Sequence, residues 1–377
     1  DSGPAWIGAG GIYDGTATGG APGTKGEGMV AGIIDTGINH DHPSFADVGG
    51  DGYDHTNPRT VHFGVCAGQN PVLCNDKLIG MYDFTGTTPF DDNAHGSHTA
   101  STVAGNVVDA ALVAPTLTYS KTISGVAPHA NIIAYKACTG LPAVGGCQVS
   151  ATVASIEQAT LDMVDVVNFS IGGASRNPWT DPNAIAFLGA NAAGVFGSVS
   201  AGNDGPGSAT IGSPSDAPWV MSVGASTHNR SLLSQLTDMA GGAAAPPAAI
   251  TGKSVASGVG PASIVYAGAP PYNAPLCGAG TADPTTGVGS ERPFDPGELA
   301  GKIVVCDRGT YGRVAKGQEV KDAGGIGMVL LNDAANGDSL TADMHVLPAV
   351  HISYDDGQPL KAWIAAGGVP TARITGL

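Results

Sequence analysis

Met29-Val30-Ala31-Gly32-Ile33-Ile34-Asp35-Thr36-Gly37 is an apolar run that stops at a carboxylate and a glycine turn. A strand with one wet face alternates apolar and polar residues, so an unbroken run suits a strand covered on both faces. Asn131–Tyr135, Val164–Phe169, Val195–Ser200 and Trp219–Gly224 have the same form. Helical signals lie between them. Gly96–Ala104 is a small-residue segment closed by Gly105, and Ser150 suits the cap of a helix running through Val153, Ile156, Ala159 and Leu161. Ala184–Ala193 is a further helix, stopped by Gly194. Strands alternating with helices across roughly the first 225 residues predict an α/β fold with a parallel sheet. In such sheets sites form at the carboxyl ends of the strands. Asp35 ends the first strand, and Asn203 follows Val195–Ser200.

Near residue 240 the composition changes. Ala240–Ile250 is an Ala/Gly/Pro stretch that reads as a linker or crossover. Beyond it, Ser263–Ala267, Ile303–Cys306, Gly327–Leu331 and Val346–Ile352 read as short strands, with helices at Gly317–Ala323 and Gln358–Ala366. This predicts a second, smaller α+β domain, which a length of 377 residues accommodates. Apolar residues make up 42% and charged residues 13%, enough for a large core and too little charge for a disordered chain. The 16 basic and 32 acidic residues give a net charge of −16, which argues against nucleic acid and anionic membrane as partners. No apolar run approaches the roughly 18 residues of a membrane span. A start at Asp1 without Met or signal peptide is expected of a mature, processed terminus. Six cysteines fall into the sequence-local pairs Cys66 and Cys74, Cys138 and Cys147, Cys277 and Cys306, with no C-x-x-C spacing. Three disulfides and an oxidising compartment are the natural reading, against six free thiols in a cytosolic enzyme.

Three constellations carry chemistry. Gly32–Gly37 suits a structural turn, an aspartic protease or the orienting acid of a nucleophile–His–Asp triad. The aspartic protease needs a second facing carboxylate, and Asp1-Ser2-Gly3 has no strand ahead of it. His95-Gly96-Ser97-His98-Thr99-Ala100-Ser101 favours the triad, because an imidazole at a helix start takes and returns protons near neutral pH. Two histidines three apart also suit a metal pair, but no H-E-x-x-H pattern accompanies them. Ser200-Ala201-Gly202-Asn203-Asp204-Gly205 offers a side-chain amide for an oxyanion, or a plain turn.

Together, in this order, the three segments resemble the N-terminal signatures of the subtilisin-like serine proteases. Gly125-Val126-Ala127-Pro128 with Ile132–Lys136, Val164–Gly173 and Pro218–Thr227 extend the similarity over roughly residues 25–230. The resemblance implies Asp35 as orienting acid, His95 as general base and acid, and Asn203 as oxyanion donor. It implies that Ser170-Ile171-Gly172 pairs with an extended peptide substrate, and that Ser200-Ala201-Gly202 walls the primary specificity pocket. Gly301–Gly309, Ala323–Gly327 and Leu347–Val350 resemble a protease-associated domain of the kind inserted in plant-type and some bacterial secreted subtilases. The implied division is 1–240 for the N-terminal part of the catalytic domain, 241–371 for the insert and 372–377 for the return.

Two departures stand out. The family's nucleophile lies in a Gly-Thr-Ser-Met-Ala-type turn opening a helix, and nothing here matches it: Ser97 belongs to the histidine motif, and Ser226 ends a strand without a following helix. Ser44 stands where many bacterial members carry an acidic calcium ligand, so that site does not carry over; no metal or cofactor is expected for catalysis, and structural calcium is left open. The expectation is the N-terminal chain of a secreted endopeptidase whose serine lies on a C-terminal fragment or continuation, with polypeptide as substrate. The alternative is a non-catalytic peptide- or protein-binding remnant. Of two Asn-x-Ser sequons, Asn168 is expected inside a strand and Asn229 in a loop.

Overall fold

The computed structural model describes residues 3–67, 73–140, 146–226 and 231–377. Asn229 lies outside them. The chain divides into two compact units, one of residues 1–110 with 121–227 and one of residues 111–120 with 228–377.

The first unit is built on a seven-stranded sheet. Its strands are β1 (Val30–Asp35), β2 (Phe63–Gly64), β3 (Leu78–Asp83), β4 (Asn131–Lys136), β5 (Val166–Phe169), β6 (Phe196–Ser200) and β7 (Met221–Val223). They lie in the order β7-β6-β5-β1-β4-β3-β2, and every pair is parallel. The sheet agrees with the α/β expectation. All six residues of β1 are buried, and they split by the period-two rule of a strand. Val30 and Ile34 face a cluster with Tyr135, Val167 and Phe169, capped by Ile156 of α2 (Val149–Leu161) and Phe187 of α3 (Pro182–Ala192). Ala31 and Ile33 face the other cluster, with Ile132, Ala134, Phe45 and the Ala100 and Ala104 methyls of α1 (His95–Ala104). Each fully buried Val, Ile or Phe contributes about 1.5–3 kcal/mol.

Helix starts differ slightly from expectation. Helix α2 begins at Val149 with Gln148 at its cap and no side-chain bond there, so Ser150 lies inside the helix. Helix α3 begins two residues earlier than expected. Pro182 fills its first turn, where a missing N–H costs nothing, and the Asp181 carboxylate accepts the Ala184 N–H.

The second unit contains a closed seven-stranded barrel. Its strands are β8 (Leu233–Gly242), β9 (Ile250–Lys253), β10 (Val259–Tyr266), β11 (Ile303–Asp307), β12 (Gly327–Leu331), β13 (Ala349–Ile352) and β14 (Gly368–Ile374). Helices α4 (Arg313–Asp322) and α5 (Tyr354–Ala365) accompany them. Two expected boundaries are corrected here. The division falls at 227/228 rather than 240/241, because β8 pairs on both sides within the barrel, with β9 and with β14. The stretch Ala240–Ile250 is therefore the end of one strand, a connection and the start of the next. Residues 372–377 do not leave the unit: β14 closes the barrel against β8 and β10, and its Ala372 and Ile374 are fully buried. The three disulfides form as paired in the sequence, Cys66–Cys74, Cys138–Cys147 and Cys277–Cys306.

Candidate active site

The site lies at the carboxyl ends of β1, β5 and β6, where the strand order reverses around β1. Strand β1 delivers Asp35 there as its last residue, side chain 2% exposed. Helix α1 begins with His95, whose side chain is half exposed, with its Nδ1 2.7 Å from Asp35 Oδ1. A carboxylate only accepts, so Nδ1 carries the hydrogen of this bond, and in the neutral ring Nε2 is the acceptor. The buried acid and the half-exposed base suit a relay that receives its proton from the solvent side.

Backbone contact sets this spacing. A Cβ on Gly96 would lie 2.2 Å from the Gly37 carbonyl oxygen, so only glycine lets α1 rest on the turn after β1. Gly37 has φ 105°, and a Cβ there would meet the Pro89 carbonyl oxygen at 2.7 Å.

A second carboxylate organises the corner. Asp91 Oδ2 accepts the Ser97 N–H and hydroxyl at 2.8 and 2.7 Å, and Oδ1 accepts the Thr36 hydroxyl at 2.8 Å and the Asn93 and Ala94 N–H groups at 3.0 Å. The Thr36 oxygen in turn accepts the Gly96 N–H at 2.8 Å, and the Thr36 N–H donates to Asp35 Oδ1 at 2.8 Å. Burial pushes the Asp91 carboxyl up, but the donors of Ser97, Asn93 and Thr36 outweigh it and hold the group below its ordinary value. Asp91 thus caps α1, favourably placed at the helix's positive end, and ties it to the residue after Asp35. The sequence reading missed this role. Its only signal is a carboxylate four residues ahead of the histidine.

The remaining expected residues cluster at the neighbouring strand ends. Ser170, Ile171 and Gly172 follow β5, and Ser200, Ala201 and Gly202 end and follow β6. Phe169 lies in register with Val199. A Cβ on Gly172 would lie 4.0 Å from the Ser200 carbonyl oxygen, so the two segments are neighbours. Gly173 bridges Ser213 through a 3.0 Å N–H···O bond, Ala201 N–H donates to Val223, and Asn203 is exposed beyond them. Asn168 sits half-buried in β5, its amide donating to the Ser170 hydroxyl at 3.1 Å, as befits a residue inside a strand. A cleft of about 320 Å³ opens beside Ile171–Gly173, walled by Thr152, Arg176 and Pro214; Asp35, His95 and Asn203 are not part of its lining. Ser44 is buried in a short 3-10 turn. Among the described residues, no group of three or more His, Cys, Asp or Glu is placed to hold a metal ion, and no helix is long and apolar enough to cross a membrane.

Comparison with known families agrees with this geometry: the Subtilase family matches residues 26–294, and the chain belongs to that family. The PA domain family matches residues 261–360, within the second unit. The Subtilisin-like protease SBT1.7 of Arabidopsis thaliana is 35% identical over 367 residues, covering 92% of this chain and 45% of the relative. Subtilisin-like protease SBT1.4 of the same plant is 36% identical over 375 residues, covering 93% of this chain and 44% of the relative. The chain spans a little under half the length of these relatives. The expected similarity to plant-type subtilases with a protease-associated domain is thereby shown.

Proposed function

We propose that the chain is the N-terminal part of a secreted serine endopeptidase, with the nucleophilic serine on the remainder of the polypeptide or on a C-terminal fragment. The observation that carries this reading is the 2.7 Å bond from His95 Nδ1 to the buried Asp35. In this mechanism His95 Nε2 removes the proton from the serine hydroxyl as it attacks the scissile carbonyl, then delivers it to the leaving amine. Asp35 fixes the tautomer and stabilises the imidazolium. The exposed Asn203 amide donates to the oxyanion of the tetrahedral intermediate. The main chain of Ser170, Ile171 and Gly172 adds an extended substrate as a strand, and Ser200, Ala201 and Gly202 wall the pocket for the residue before the cut. Three disulfides and a net charge of −16 support an oxidising, extracellular setting.

A fluorophosphonate label on protein purified from its natural source tests the proposal. The label is expected on a serine outside residues 1–377, on the same polypeptide or a co-purifying fragment, found by intact-mass analysis. The 377-residue chain alone is expected to be inactive, since loss of the nucleophile costs subtilisin about 2 × 10⁶ in kcat. A folded natural product of 377 residues that takes no label yet binds peptide would establish the binding-remnant alternative instead.

A further inference from the structure

We propose that Thr99 is a positioning residue of the Asp35–His95 pair, its hydroxyl holding the carboxylate oxygen that neither His95 nor the Thr36 amide reaches. Asp35 Oδ1 takes both of those donors, from Thr36 N–H at 2.8 Å and His95 Nδ1 at 2.7 Å. For Oδ2 the donor among the described residues is the Thr99 hydroxyl, at 3.2 Å. The Asp35 side chain is 2% exposed, so bulk water does not stand in for a missing donor. An ionised carboxylate in that position is costly unless its oxygens are bonded.

The helix explains why this residue occupies the position. Thr99 follows His95 by four residues on α1, so the two side chains share one face of the helix, one turn apart. The base and the second clamp on its acid therefore move as one body. The hydroxyl also lies 3.0 Å from the Gly96 carbonyl oxygen. It has one proton, and the charged acceptor binds it more strongly than a neutral carbonyl does. Of the nearby carboxylates, Asp91 is bonded by Thr36 and Ser97, and Asp92 by Lys136, whose residue pairs with Asp35 across β1 and β4; His98 lies on α1 three residues beyond His95.

The hydroxyl draws charge away from Asp35 and stops the carboxylate from turning. Without it, more negative charge faces His95, the imidazolium is favoured, and the neutral base is present only at higher pH. The assignment rests on the protease reading for its effect on turnover, and the test separates the two. In the complete serine-bearing protein, Thr99→Val is expected to lower kcat/KM about tenfold. The acid limb of its pH profile is expected to move up by about half a unit. Thr99→Ser, which keeps the hydroxyl, is expected to recover the profile. A Thr99→Val profile that superimposes on the wild type overturns the proposal, and so does a Thr99→Ser variant as impaired as Thr99→Val, which would make the effect one of packing. If Thr99→Val does not fold, Thr99→Ala is read in the same way. If the wild-type protein neither labels nor cleaves, the protease reading falls by itself. The His95 ring Cε1–H resonance, titrated by NMR in wild type and Thr99→Val, then decides: an upward move of the midpoint upholds the Thr99 assignment, and coincident curves overturn it.

Discussion

Two polar corners of this molecule follow opposite rules. Around Asp91 an anion is surrounded by three main-chain N–H groups and two hydroxyls, and it keeps its charge below the ordinary carboxylate range. Around His345 in the second unit a base is 3% exposed, and its Nδ1 has no partner. Gly317 packs against it: a Cβ there would lie 3.2 Å from that nitrogen. Burial holds His345 down to about 4, although the Asp343 charge pulls the other way. Asp343 is itself engaged by Arg313 through bonds of 2.6 and 3.0 Å. Main-chain donors are abundant at a helix start, so an acid placed there can be satisfied completely. A buried base needs spare acceptors, and where they are already taken it stays neutral.

The contrast can be broken at either corner. Asp91→Ala removes the acceptor from five donors, and unsatisfied donors cost about 1–3 kcal/mol each where water cannot replace the partner. With water reaching part of the corner, the expected loss is about 3–5 kcal/mol of unfolding free energy. It should come with faster amide exchange at Asn93, Ala94 and Ser97. A loss below about 1 kcal/mol in a denaturant titration would show that solvent substitutes for the carboxylate.

His345 gives a pH signature. The ordinary histidine value of 6.5 describes the unfolded chain, and the folded group lies near 4. Between these values the unfolded state binds the proton and the folded state does not. Stability is therefore complete above about 6.5 and falls as pH drops toward 4, by about 3 kcal/mol for this residue. His345→Leu is expected to flatten that limb, measured as the difference in unfolding free energy between pH 7.5 and 4.5. An unchanged slope would assign the acid sensitivity to other groups, of which His55, also held down to about 4 chiefly by burial and with its Nδ1 unpartnered, is the nearest in kind.

The smallest expected effect lies at Ala94, which precedes α1 with φ 71°, a left-handed conformation that costs a side chain about 1–2 kcal/mol. Ala94→Gly removes that strain but adds chain entropy to the unfolded state, for a net gain of about 0.5 kcal/mol. A drop in melting temperature instead would mean that the Ala94 methyl contributes contacts worth more than its strain.

Much of the first unit was legible because its strands are short apolar runs whose ends carry the chemistry. Asp35 could be placed at a strand tip, and His95 at a helix start, from a few neighbouring residues each. Asp91 and Thr99 could not be placed in that way. Their roles are bonds to residues 55 and 64 positions away in sequence, and a lone Asp or Thr near a helix start looks like any other cap. Strand β3 went unread although its first four residues are fully enclosed. The barrel was harder still. The large apolar residues of β8, Leu233, Leu236 and Met239, fall three apart rather than two and the strand ends in Ala-Gly-Gly, while β14 contains Pro370 and begins with exposed residues, so both resemble connections until their partners are known.

The contact between Gly96 and Gly37 has a consequence for how this site can vary. Where α1 meets the turn after β1, the main chain at Gly96 rests directly on the main chain at Gly37. The approach of the two main-chain segments that carry acid and base is then limited by peptide geometry at these two glycines. A single added methyl at residue 96 would force the helix off the turn.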